Sequence, residues 1–69
     1  MVQFAITLTK GDDRKVLFVF DNKEDALSKG EELLKSLTKD SGVLSCIEGE
    51  FDVEKNLVGT RYRLHESWM

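Results

Sequence analysis

The sequence predicts a small α+β domain in which two β-hairpins flank a single helix, in the order β-β-α-β-β. Apolar and polar residues alternate with period two in segments 2–9 and 15–20, and again across much of segment 43–68. Between these regions, segment 21–38 repeats its apolar residues at the 3.6-residue period of an amphipathic helix. We therefore expect residues 1–69 to form one domain, with a four-stranded, mainly antiparallel sheet and the helix packed on one face.

The first hairpin is predicted to pair segment 2–9 with segment 15–20. The apolar residues of the first segment share one face, and the second segment is rich in β-forming residues. The predicted pairing requires a three-residue loop, Gly11-Asp12-Asp13, which is a common hairpin length. A register that keeps the large side chains on one side pairs Leu8 with Val16, Ile6 with Phe18, and Phe4 with Phe20.

The helix is predicted to begin after Asp21 and to end near Leu37 or Thr38. Asp21 is the expected N-cap, and Glu24 lies three residues later, as in a capping box. Gly30 lies in the apolar stripe, where glycine costs about 1 kcal/mol relative to alanine, so we expect the helix backbone to approach the sheet closely there. The stripe consists of Ala26, Leu27, Gly30, Leu33, Leu34 and Leu37.

The second hairpin is predicted over residues 43–68 with Lys55-Asn56 at its turn, in a register that separates charged from apolar side chains. The polar face carries Cys46, Glu48, Glu50, Asp52, Arg61, Arg63 and His65. The apolar face carries Val43, Ile47, Gly49, Phe51, Val53, Val58, Tyr62, Leu64 and Trp68. We expect this apolar face to join that of the first hairpin beneath the helix. Strand orders 2-1-3-4 and 2-1-4-3 both satisfy the pattern.

Composition argues against several classes of function. The chain is 41% hydrophobic and 33% charged, which is too apolar for a disordered tail and too charged for a membrane span. A formal net charge of −3 provides no basic footprint for nucleic acid. One cysteine and one histidine are too few for a structural zinc site, so we expect no metal and no cofactor. Segment 1–9 has no basic leader, and we therefore expect a cytoplasmic protein.

Two groups of side chains have a chemical interpretation. Alternate acids on a strand lie about 7 Å apart and can form a cation site, although exposed acids opposite arginines are more typical of a solvated sheet face. Cys46 and His65 are predicted cross-strand neighbours, which is the arrangement of a nucleophile and its base. Because no third orienting group or oxyanion site accompanies them, we expect a buried thiol and no enzymatic activity. The acids are Glu48, Glu50, Asp52 and Glu54.

The sheet face opposite the helix is predicted to be open, because one helix covers only one face. A mildly apolar patch beside a charged one, together with two free sheet edges, favours association. We expect a non-enzymatic interaction module, such as a small accessory protein of a bacterium or mobile element. It would bind itself as a homodimer, or another protein, through this face or an edge strand. The predicted surface consists of Ala5, Thr7, Leu17, Val19, Glu48, Glu50, Arg61 and Arg63.

The alternative function is nucleic-acid binding or regulation through the face that carries Arg61 and Arg63, with Lys15 nearby. Single-strand binders also present exposed aromatic side chains for base stacking. In the register above, the aromatic residues lie on the core face and acids oppose the arginines. A protein partner is therefore favoured over nucleic acid, and no membrane partner is expected.

Overall fold

The fold was obtained as a computed structural model that describes residues 2–37, 39–59 and 61–68. The strands form one antiparallel sheet in the order β2-β1-β3-β4, which confirms the α+β class and selects the order 2-1-3-4. No helix in the described part of the chain is long and apolar enough to cross a membrane. The elements are β1 (Gln3–Lys10), β2 (Asp13–Phe20), α1 (Lys23–Leu34), a short 3₁₀ turn (Lys39–Ser41), β3 (Val43–Gly49) and β4 (Arg63–Trp68).

The β1–β2 turn is one residue shorter than predicted. Lys10 pairs with Asp13, so the loop contains only Gly11 and Asp12. Gly11 has a φ of 63°, a conformation that two-residue hairpin turns require and that glycine adopts without a steric penalty. The shorter loop moves the adjacent strand pairs by one residue relative to the predicted register.

A β-bulge at Leu17 then reverses this shift. On the turn side of the bulge, Leu8 pairs with Lys15 and not with Val16 as predicted. Beyond the bulge, the extra residue restores the predicted pairing, which keeps the phenylalanines of β2 on the helix side of the sheet. The restored pairs are Ile6 with Phe18 and Phe4 with Phe20.

The N-cap of α1 is Asn22, where Asp21 was predicted. Asn22 Oδ1 accepts a hydrogen bond from the backbone N–H of Asp25 at 2.8 Å, and its side-chain amide donates to the Asp25 carboxylate at 3.0 Å. Asp25 therefore has the capping role that was predicted for Glu24, one residue further along. The helix ends at Leu34, about one turn earlier than predicted.

The main core lies between α1 and the sheet. Ile6 and Cys46 are fully buried against Ala26, with Leu44 beside them. The predicted apolar stripe of the helix is confirmed, because its members either are buried or pack against this cluster. The half-buried residues around the cluster are Phe4, Leu8, Leu17, Phe20, Leu27, Leu33, Leu34, Leu37 and Trp68.

The part of the predicted apolar face that includes Ile47 turns away from the helix, so the predicted orientation of the second hairpin is wrong there, although Trp68 does lie beneath the helix. In the β1–β3 ladder Cys46 lies opposite Ile6, and Ile47 lies opposite Ala5. Paired residues share a face of the sheet, which places Cys46 beneath the helix and Ile47 on the far side. The register of this ladder decides which face of the second hairpin lies on the helix side of the sheet. The alternation of apolar and polar residues within each hairpin does not determine that register.

The connection between β3 and β4 is longer and less regular than predicted. Residues 50–59, 61 and 62, which we call the strap, leave the ladder, and within them Phe51 forms an isolated bridge with Leu57. In the predicted register Phe51 faces Thr60, which lies outside the described residues. A turn forms near the predicted position, with Lys55 at a φ of 66°.

The strap covers the sheet face that was predicted to be open. Leu57 packs so closely on Gly49 that its Cδ1 would lie 2.8 Å from an added Cβ. The Tyr62 hydroxyl accepts a hydrogen bond from Arg14 Nη2 of β2 at 2.8 Å, and the guanidinium carbon lies 4.6 Å from the Tyr62 ring centroid. The side chains buried on this face are those of Ala5, Thr7 and Ile47, and none of these residues is more than 2% exposed.

Gly30 provides space for the indole of Trp68. A Cβ at Gly30 would lie 2.6 Å from Trp68 Cζ3 and closer still to Cη2. Trp68 pairs with Leu44, and it packs against the core cluster. The close approach predicted at Gly30 is therefore confirmed, although the partner is a side chain of β4 and not the sheet backbone.

We expect Gly30→Ala to displace Trp68 and to lower the free energy of unfolding. Alanine gains about 1 kcal/mol in helix propensity, but overpacking a filled contact costs about 1–3 kcal/mol. Tryptophan fluorescence should shift to longer wavelength, and urea denaturation should show the loss. Ser28→Ala, on the exposed side of α1, is the control and should leave the emission unchanged. An unchanged spectrum with increased stability of Gly30→Ala would contradict this packing.

We expect Tyr62→Ala to loosen the strap more than Tyr62→Phe. Phenylalanine keeps the ring beneath the Arg14 guanidinium, an interaction of about 0.5–1 kcal/mol at exposed sites, and loses only the hydroxyl. The rate of trypsin cleavage after Lys55, followed by mass spectrometry, should be highest for Tyr62→Ala, lower for Tyr62→Phe and lowest for the wild type. Equal cleavage rates for the three proteins would show that Arg14 and Tyr62 do not hold the strap.

Candidate functional site

A groove of about 530 Å³ lies between the end of β3, the start of β4 and the strap. Its apolar lining comes from Val2, Val58 and Tyr62, which are 49%, 52% and 44% exposed. Single exposed apolar side chains are common on protein surfaces, but these three large side chains are exposed together in one groove. The remaining lining residues are Glu48, Gly49, Glu50, Gly59, Arg61 and Arg63.

The eight residues of the predicted interaction surface separate into two groups. Ala5 and Thr7 are buried on the strap side, and Val19 is half-buried opposite Ala5. Leu17 packs against the core cluster beneath the helix. The prediction of one continuous open face containing all eight residues is therefore wrong. The strap covers Ala5 and Thr7, and the bulge in β2 places Leu17 against the core. The other four line the groove: Glu48, Glu50, Arg61 and Arg63.

Glu48 is bound within its own chain. Its Oε1 accepts a hydrogen bond from His65 Nε2 at 2.6 Å, and the two side chains are 30% and 14% exposed. His65 is the extra residue of a bulge in β4, and its ring centroid lies 5.5 Å from that of Phe4. The bulge thus turns His65 toward Glu48, although the register partner of Glu48 is Arg63.

The two groove arginines are exposed and have no carboxylate partner among the residues that the structure describes. Glu48 pairs with His65, and neither Arg61 nor Arg63 forms an ion pair with any described residue. A guanidinium group presents a planar set of donors that matches a carboxylate in a bidentate geometry. The groove therefore combines an apolar floor with two cationic groups that are available to a ligand.

Cys46 and His65 do not form a dyad. Cys46 pairs with Glu66 across the ladder, and the β4 bulge removes His65 from the predicted register. The thiol is fully buried beneath the helix. Burial raises the pKa of the Cys46 thiol above its ordinary value of 9.0, and the positive charge of Lys23 only partly offsets this. Such a thiol is protonated near neutral pH.

Among the described residues, no three histidine, cysteine, aspartate or glutamate side chains come together as ligands for a metal ion. The acids predicted to form a stripe along one strand are separated instead. Glu48 lies in β3, whereas Glu50, Asp52 and Glu54 belong to the strap. Asp52 is used within the turn, where its Oδ1 accepts the backbone N–H groups of Glu54 and Asn56, each at 2.9 Å.

Sequence reasoning missed the exposure of Val2, Val58 and Tyr62, because their phase placed them on the predicted core face. A signal was present in segment 52–56, Asp-Val-Glu-Lys-Asn, where four of five residues are polar or charged. Such a composition is typical of a turn and weak for a strand. An interruption there breaks the hairpin, so the alternation beyond it need not point into the core.

We expect Cys46 of the folded protein to react with iodoacetamide far more slowly than a free thiol at neutral pH. The buried, protonated thiol must first be exposed by local opening, and the thiolate is the reactive form. Mass spectrometry should show slow labelling in buffer and rapid labelling in urea. If native labelling matched the rate in urea at pH 7, the thiol would be accessible and the packing of Cys46 described above would be wrong.

Comparisons with protein-family models, with curated proteins and with solved structures give no match to this chain, so the assignment of a function depends on the geometry of the groove.

Proposed function

We propose that this chain is a non-enzymatic interaction module that binds a polypeptide segment through the groove. The observation that supports this is the clustering of Val2, Val58 and Tyr62 beside Arg61 and Arg63, whose charges are unpaired among the described residues. Protein-binding surfaces commonly combine an apolar centre with a polar rim, and tyrosine and arginine are enriched where binding energy concentrates.

The lining of the groove defines the chemistry of its occupant. Val2 and Val58 offer apolar surface to an aliphatic side chain, and burying such a side chain contributes about 1.5–3 kcal/mol. Arg61 and Arg63 offer charge-assisted hydrogen bonds to a carboxylate. The preferred occupant is therefore a segment in which an aliphatic residue stands next to aspartate or glutamate.

The edge strands are less suited to recruiting a partner than the groove. Both carry a bulge, at Leu17 in β2 and at His65 in β4, and a bulge interrupts the regular row of backbone groups that another strand would pair with. β2 also begins with the exposed charges of Arg14 and Lys15. Bulges and charged side chains are features by which proteins avoid pairing at their sheet edges, so the groove is the better surface for a partner.

Nucleic acid is the alternative occupant, since Arg61 and Arg63 flank a partly exposed Tyr62. Three features oppose it. Glu48 and Glu50 line the same groove, and the whole chain has a net charge of −3, which disfavours a polyanion more strongly than a single carboxylate placed at Arg61 or Arg63. In addition, the Tyr62 ring already carries the Arg14 guanidinium, so it is a poor platform for a stacked base.

We expect a phage library of random dodecapeptides to yield binders that depend on the groove. Selection on the wild-type chain should enrich an aliphatic residue adjacent to acids, because that combination satisfies both the apolar floor and the arginines. Val58→Asp should lose these binders, since it places a negative charge in the floor. Val58 is half exposed, and the fold should tolerate the change.

Ser28→Asp adds the same charge on the exposed side of α1 and should retain the selected peptides. Enrichment of the same peptides on Val58→Asp would remove the groove from the proposal. Binding of a single-stranded oligonucleotide that weakens steeply with salt and is lost on reversing Arg61 and Arg63 would favour the nucleic-acid alternative instead.

A further inference from the structure

Val53 is the most exposed large apolar residue among those the structure describes. Its side chain is 100% exposed at the turn of the strap, so it contributes no packing to its own chain. It stands between two acids, Asp52 and Glu54. An aliphatic side chain between carboxylates is the same chemistry that the groove is proposed to bind.

The turn that presents Val53 is organised by hydrogen bonds within the strap. Asp52 Oδ1 accepts from the backbone N–H groups of Glu54 and Asn56, and the Asp52 carbonyl accepts from the N–H of Lys55 at 3.0 Å. The Asp52 N–H donates to the Asn56 carbonyl, also at 3.0 Å. A turn held in this way loses little conformational entropy when it binds. Because Asp52 serves the turn, Glu54 is the carboxylate that a partner can use.

We propose that the groove binds a second copy of this chain, with Val53 of one copy seated against Val58 of the other and Glu54 paired with Arg61. The inference rests on the proposed function and names its partner. The charges are complementary, because Arg61 has no carboxylate partner among the described residues and Glu54 extends into solvent beside an exposed valine. A reciprocal arrangement closes as a symmetric dimer, the commonest form of self-association.

Sedimentation equilibrium of the wild type and of Val53→Asp tests the apolar half of this contact. Val53 is fully exposed, so the variant should keep the wild-type circular dichroism spectrum and free energy of unfolding. We expect the wild type to dimerise and Val53→Asp to weaken the dimer at least about tenfold. Ser28→Asp, with the same change in net charge, should dimerise as the wild type does.

A charge exchange tests the polar half. Glu54→Arg and Arg61→Glu should each weaken the dimer, because each places like charges opposite one another across the contact. The double variant places an arginine on every turn and a glutamate in every groove, so it should recover most of the lost affinity. A purely structural role for either residue would not produce this recovery.

A wild-type chain that stays monomeric at millimolar concentration would overturn the proposal. So would a Val53→Asp variant that dimerises like the wild type, or a double variant that recovers none of the lost dimer affinity. If any of these results accompanied groove-dependent capture of library peptides, the proposed function would stand and only the second copy would be rejected. If the peptides also bound independently of Val58, both would fail.

Discussion

The fold depends on the burial of β1 on both of its faces. Its three consecutive residues Ala5, Ile6 and Thr7 are no more than 1% exposed, and consecutive strand residues point to opposite sides of a sheet. One helix can cover only one of these sides. The chain therefore uses a second cover, the strap, and its long excursion between β3 and β4 follows from this need. Thr7 and Ala5 are small enough to lie beneath an irregular segment that has no helical surface of its own.

The same constraint creates the candidate site. Once the strap leaves the ladder at Glu50 and returns at Tyr62, its two ends and the start of β4 enclose a groove beside Gly49. The side chains that point inward secure the strap, as Leu57 does on Gly49 and Tyr62 does on Arg14. Val58, which is half exposed, lines this groove. In a domain of this size, covering the sheet with an irregular segment thus also produces a groove.

Several features were predictable because they depend on residues close together in the chain. The apolar stripe of α1 and the pairing of the phenylalanines in β2 with β1 both follow from local periodicity. The N-cap moved by one residue because Asn22 and Asp25 satisfy the helix end with two reciprocal hydrogen bonds. Of the candidate site, the charged residues were identified and the apolar ones were not, since Val58 and Tyr62 had been assigned to a core that the strap never enters.

By itself, the sequence determined the α+β class, the order of the elements and the apolar stripe of α1, because these follow from periods of 2 and 3.6 residues along the chain. Only the tertiary structure decided which faces of the two hairpins meet. That choice depends on the β1–β3 ladder, in which Ile6 lies opposite Cys46 and distant residues are brought together. A shift of this ladder by one residue would exchange the two faces of the second hairpin without changing the local pattern of either. The covered face, the strap and the groove all follow from that long-range register.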